Sequence, residues 1–230
     1  MSARAEAFDN LPPCIRRHLE LAGAVDCAPI RELQVAEKGT MRMKPGAREI
    51  SFTSEQRITT SPPGFSWKAR MNMMGPIPFT VIDEFVDGHG RLCAGPLGLR
   101  VTEFRGPEVD SGELLRWLAS TVWCPTVWTA DFLRWEALDD RSARVTMNHA
   151  GQQVSLNLRA GDDGLLRDMF GRRYKAEGRE FKQCDWAGHA LNYRKIDGLL
   201  VPTVIEAAWV ENGEEFVYYR GAVTSLKFES

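Results

Sequence analysis

The sequence predicts an α+β fold of mostly antiparallel β-structure, a strongly curved sheet or unclosed β-barrel of about 11 strands covered by helices. Three observations lead there. Apolar and polar residues alternate without a break from Phe65 through Trp67, Ala69 and Met71 to Met73, the pattern of a half-buried strand. Period-two segments recur down the chain between turn residues: Pro45-Gly46, Ser61-Pro-Pro-Gly64, Asp87-Gly-His-Gly90, Gly161-Asp-Asp-Gly164, Asp197-Gly198 and Asn212-Gly213. The last, between Ala207-Ala-Trp-Val210 and Phe216-Val-Tyr-Tyr219, is a strong hairpin signal.

The elements follow in order. Asn10 caps a helix over 10–23 whose first turn holds Pro12 and Pro13, where a missing N–H costs little. Leu11, Ile15, Leu19 and Ala22 share one face, Gly23 is the stop, and the helix lies against the sheet or closes one end of it. Strands fill about 30–106. A second helix runs over 111–123: Asp110 and Glu113 have capping-box spacing, Leu114, Leu115, Trp117, Leu118 and Val122 form an apolar stripe, and Pro125 blocks continuation. Strands resume over 133–229. With 43% hydrophobic residues and no linker or repeat, residues 1–230 read as a single domain.

Charge and cysteine usage narrow the function. A net charge of -2 provides no general field for nucleic acid, so a nucleic-acid partner is not expected. The cysteines at 14, 27, 93, 124 and 184 form no CxxC or zinc spacing and read as reduced thiols, with no metal or cofactor expected. The start, Met1-Ser-Ala-Arg-Ala-Glu-Ala7, lacks an apolar leader, and no segment approaches the ~18 apolar residues of a transmembrane span. A bacterial cytoplasmic location is the expectation.

The aromatic and methionine side chains supply the candidate site. Trp67, Met71, Met73, Trp117, Trp123, Trp128, Trp135, Trp186 and Trp209 either fill a core or line an apolar cavity. A curved sheet has a large concave face, and bulky residues on it leave room for a guest. On that reading Trp67, Met71, Trp117, Trp123 and Trp209 line the cavity of a protein that binds a lipid or other apolar small molecule, with Arg116 offering its head group a charge. Glu113, three residues before Arg116, either pairs with it along the helix or joins the site. Two rival readings are an enzyme acting on a hydrophobic substrate, with Glu113, Arg116, Asp83 or Tyr193 as polar participants, and a protein-interaction module. His89 and His149 sit at turns and read as solvated, and no motif has the spacing of a nucleophile elbow.

Several stretches together resemble an uncharacterised bacterial family of unknown function. They are Leu11-Pro-Pro13 with its helix, Pro63-Gly-Phe-Ser-Trp-Lys-Ala-Arg70, Val86-Asp-Gly-His-Gly-Arg-Leu92, Gly112-Glu-Leu-Leu-Arg-Trp-Leu118 leading into Val122-Trp-Cys-Pro-Thr126, Asp139-Asp-Arg-Ser-Ala-Arg144, Asn192 to Thr203, and Tyr219-Arg-Gly221. The chain departs from the family pattern at Ser120 and Cys124, where an acidic and an aromatic residue are usual. The stretch from Tyr193 to Pro202 is similar to a strand-turn-strand of periplasmic lipoprotein carriers. That resemblance implies an open half-barrel with acyl chains on its concave face.

Overall fold

The computed structural model describes residues 3–74, 77–178 and 180–229. Alternation along the chain becomes a 13-stranded sheet in which every pairing is antiparallel. The first block comprises β1 (Glu32–Met41), β2 (Ile50–Thr60), β3 (Pro63–Met74), β4 (Ile77–Val86), β5 (His89–Pro96) and β6 (Thr102–Phe104). The second comprises β7 (Leu133–Ala137), β8 (Ser142–His149), β9 (Gln152–Ala160), β10 (Leu166–Glu177), β11 (Glu180–Ile196), β12 (Leu199–Glu211) and β13 (Glu214–Glu229). Asp87-Gly88, Ala150-Gly151, Asp197-Gly198 and Asn212-Gly213 each carry two positive φ angles. Two positive φ angles give a two-residue loop the type I′ twist that matches its strands.

Each block is a meander, and the strand order is β6-β5-β4-β3-β2-β1-β13-β12-β11-β10-β9-β8-β7. The blocks therefore meet where β1 pairs with β13, from Glu32 opposite Glu229 to Met41 opposite Tyr219. β6 and β7 remain as edges of a curled, open half-barrel.

This order also dictates where the central helix lies. β6 ends at one edge and β7 begins at the other, so the chain between them must cross the concave face. Helix α3 (Pro107–Ser120) makes the crossing and packs on β3, β4 and β5 of one wing and β9 and β10 of the other. Gly90 permits its close approach to β5, since a Cβ there would stand 2.7 Å from the Val109 carbonyl oxygen. Two 3-10 turns, Thr121–Trp123 and Pro125–Thr129, continue toward β7.

Three expectations need correction. The sheet has 13 strands where about 11 were read, partly because three-residue β6 is too short to show a period. The helix expected over 111–123 starts at Pro107 and ends its α-helical part at Ser120. Its supposed capping residues serve tertiary contacts instead: Asp110 Oδ1 accepts the Gly90 N–H at 2.7 Å, and Glu113 accepts from Arg173. The helix expected over 10–23 is α2 (Pro13–Leu21), preceded by a separate α1 (Ala3–Asp9). Pro13 pushes the residue before it out of the helical region, and Pro12 accordingly has ψ 144°.

Helix α2 closes one end of the hollow. Ile15 and Leu19 belong to the same buried core as Leu33, Ile58, Phe65, Phe85, Met147, Leu199 and Val201, each 3% exposed or less, and α2 packs against β8.

Candidate ligand cavity

Away from α2 the hollow is unfilled. A cavity of about 270 Å³ lies between α3 and the sheet, near the lower end of the roughly 300–1,000 Å³ usual for ligand pockets. Alternation builds one wall from a single row of cross-strand partners: Gln56, Trp67, Asp83, Leu92 and Phe104, on β2 through β6. The opposite wall has Met169, Arg173, Phe181, Trp186, Ile205, Trp209 and Tyr218. Phe104 and Phe181 meet edge to face at 5.6 Å, so the β10–β11 hairpin reaches across to the far edge strand. The lining is mainly aromatic and aliphatic.

A polar cluster is set into this lining. Arg173 Nη2 donates to both Glu113 oxygens at 3.1 and 3.3 Å, its Nε to the Gly112 carbonyl at 3.2 Å, and its Nη1 to the Tyr218 hydroxyl at 3.1 Å. Trp186 Nε1 donates to the same hydroxyl at 3.1 Å. Arg116 is paired with Asp83, and its guanidinium lies 4.9 Å over the Phe65 ring and 4.8 Å over that of Trp67. Beside them the Tyr219 hydroxyl donates to Glu37 Oε2 at 2.9 Å.

Burial sets the protonation of this cluster. Loss of solvent, reinforced by the neighbouring Asp83 carboxylate and opposed by Arg173 and Arg116, pushes Glu113 up to about 8. Burial also raises Glu37 and Tyr219. It opposes the charge of Arg173, but Glu113, Tyr218 and Asp83 outweigh it and hold that guanidinium protonated.

Of the residues expected at the site, Trp67, Glu113, Arg116, Trp123 and Trp209 line the cavity. Met71 and Trp117 do not. Met71 lies in the core opposite Phe52 and Phe79, and Trp117 is fully buried with its Nε1 donating to the Thr59 carbonyl at 2.8 Å. The expected Glu113–Arg116 pair does not form, and Arg116 does not stand free for an anionic head group. In a site of low polarity each of these side chains takes a partner from the sheet, Glu113 from β10 and Arg116 from β4. Asp83 joins the site, whereas Tyr193 lies elsewhere, donating to the Leu166 carbonyl at 2.7 Å beside His18. Met73 lies outside the described side chains.

Arg173, Gln56, Trp186 and the tyrosines were not singled out from sequence as polar members of the site. A usable signal existed. Arg173 shares its strand parity with Met169, and Gln56 shares its own with Phe52 and Ile58, so each is a polar residue at an inward position.

Among the described residues no group of three or more His, Cys, Asp or Glu is placed to hold a metal ion, and no helix is long and apolar enough to cross a membrane. No curated protein matches the chain. Solved structures align with most of the chain at low sequence identity. A LolA superfamily protein from Nitrosomonas europaea aligns at 12% identity and TM-score 0.44, covering 94% of both chains. A putative outer membrane lipoprotein-sorting protein domain from Vibrio parahaemolyticus aligns at 8% identity and TM-score 0.42, over 87% of this chain and 86% of the other. A DUF1329 family protein from Desulfovibrio piger aligns at 10% identity and TM-score 0.40, over 100% and 94% respectively. The family model of DUF6544 matches residues 2–221, and the chain belongs to this family of unknown function.

Proposed function

We propose that the protein binds a lipid-like or other apolar small molecule, noncovalently, between α3 and the concave face of the sheet. The observation that supports this most is the cavity of about 270 Å³ with its aromatic and aliphatic lining. Burial of ligand hydrocarbon contributes roughly 25 cal/mol per Å² before the costs of association are deducted. Trp67, Trp123 and Trp209 supply the contact area. Free cysteines at 14, 27, 93, 124 and 184 support a cytoplasmic or other reducing compartment. Native mass spectrometry of freshly purified protein, followed by denaturing extraction, tests the reading: a co-purifying apolar molecule is expected. Neither a carried molecule nor a change in tryptophan emission on titration with N-phenyl-1-naphthylamine would remove the proposal.

One observation favours a second reading, an enzyme acting on an apolar substrate. Glu113 and Asp83 are neighbouring buried carboxyl groups, and burial and the Asp83 charge push Glu113 up to about 8, into the range of a general acid. Under that reading the carried molecule is converted with time, and Glu113→Gln stops conversion while leaving the molecule bound. A molecule recovered unchanged after prolonged incubation speaks for binding alone.

A further inference from the structure

One part of the cavity wall stands apart from the sheet. β10 pairs with β9 from Leu166 to Gly171, and β11 pairs with β12 from Asp185 to Ile196. Beyond those limits Arg172–Glu177 of β10 and Glu180–Cys184 of β11 pair, among the described residues, only with each other. They make a two-stranded arm of roughly 20 Å, at about 3.3 Å per residue. The arm is also part of the ligand site, since Tyr174, Lys175, Ala176 and Phe181 line the cavity.

Its attachments weaken from base to tip. At the base Arg173 is buried and fixed to Glu113, the Gly112 carbonyl and the Tyr218 hydroxyl. Farther out Lys175 Nζ meets Glu211 at 2.7 Å, an ion pair open to solvent and so of little strength. Near the tip Phe181 meets Phe104 of β6, the edge strand of the other wing, edge to face at 5.6 Å. No hydrogen bond or ion pair among the described residues joins the arm to β6, so these rings carry the closure. A ribbon of two strands alone is marginally stable in water, and regions without sheet neighbours open at the lowest cost. The other walls are held within the sheet or, in α3, packed across both wings. The arm is the wall that can swing without breaking another strand pairing.

We propose that this arm is the lid of the cavity, that the Phe104–Phe181 contact is its latch, and that the apolar ligand enters and leaves between the arm and β6. This deepens the ligand-binding reading and rests on it. A lid makes both entry and exit proportional to the fraction of molecules that are open. Stopped-flow mixing with N-phenyl-1-naphthylamine reads the two rates separately. In Phe181→Ala association and dissociation both rise by a common factor of about three to ten, the effect of losing one edge-to-face ring pair, and Kd changes by less than either rate. Phe104→Ala does the same from the other side of the latch. The double variant is no faster than the faster single one, because both substitutions release one contact. Loss of wall packing alone gives another pattern, faster dissociation with association unchanged. Both rings are only partly buried, so neither truncation empties the core. Unchanged rates, a rise in dissociation alone, or effects that multiply in the double variant overturn the lid and leave the apolar-ligand reading standing. No binding of the naphthylamine to folded native protein overturns both.

Discussion

Trp117 on α3 and Trp67 on β3 face the same hollow, and both are almost completely buried, yet they belong to opposite ends of it. Around Trp117 the two 3-10 turns, α2 and the aromatic rings interlock: Trp128 Nε1 donates to Thr121 Oγ1 at 2.8 Å, Trp135 Nε1 to the Trp128 carbonyl at 3.0 Å, and Phe132 lies 6.2 Å from the Trp117 ring. Around Trp67 there is instead a stacked guanidinium, a buried acid pair and space. The residue types are alike at the two ends, and the cover differs. Aromatic richness therefore does not mark a pocket in this sheet. What marks it is the part of the concave face that α3 spans without filling.

If that contrast is right, truncation should separate stability from binding. Trp117→Ala is expected to lose about 3 to 5 kcal/mol of unfolding free energy in urea, the usual cost of a large cavity in a packed core. Trp209→Ala, at a partly buried position on the cavity wall, should lose below about 1.5 kcal/mol and mainly weaken naphthylamine binding. Equal losses in stability would break the comparison.

The two ends should also respond oppositely to pH. Glu113 at the open end has a folded pKa of about 8 against an ordinary 4.5, so its contribution to stability is complete below pH 4.5 and is lost as pH rises through 8. His18 at the filled end is pulled down to about 4 by burial and by Arg167, and its Nδ1 accepts the Leu166 N–H at 3.1 Å. Its contribution is present above pH 6.5 and is lost as pH falls through 4. Urea unfolding from pH 4 to 9 should show both limbs. Glu113→Gln is expected to flatten the alkaline one and His18→Gln the acid one, and crossed effects would show that the ends are not independent.

The smallest expected difference concerns the thiols. Burial pushes Cys124 up to about 12 and raises Cys14 as well, whereas Cys27 and Cys184 are only half-buried. In the native protein a disulfide reagent should modify Cys27 and Cys184 first and Cys124 last, with all five reacting after denaturation. Fast modification of Cys124 would mean that the filled end opens readily.

How much of this could be read from the residues depends on the distance over which each feature is encoded. The sheet was legible because alternation and paired turn residues act within ten residues of one another, as Asn212-Gly213 does between β12 and β13. The helix ends were misplaced because tertiary contacts took the capping side chains, as Asp110 and Gly90 illustrate. The polar cluster was only half legible. Arg116 and Asp83 are 33 positions apart and Arg173 and Glu113 are 60 apart, and only the crossing of α3 through the hollow brings these pairs together. Trp117 and Met71 were assigned to the cavity because periodicity shows which face of an element is buried, not what that face meets.

The seam between β1 and β13 has a consequence for synthesis. Both wings are successions of neighbouring hairpins that can form as they emerge, but the contact between Tyr219 and Glu37 spans 182 positions. The free edge of β1 therefore stays unpaired on the ribosome until the 16 residues of β13 arrive. Until then the nascent chain presents an open strand edge to its neighbours, so the arrival of β13 both completes the sheet and ends its exposure to misassembly.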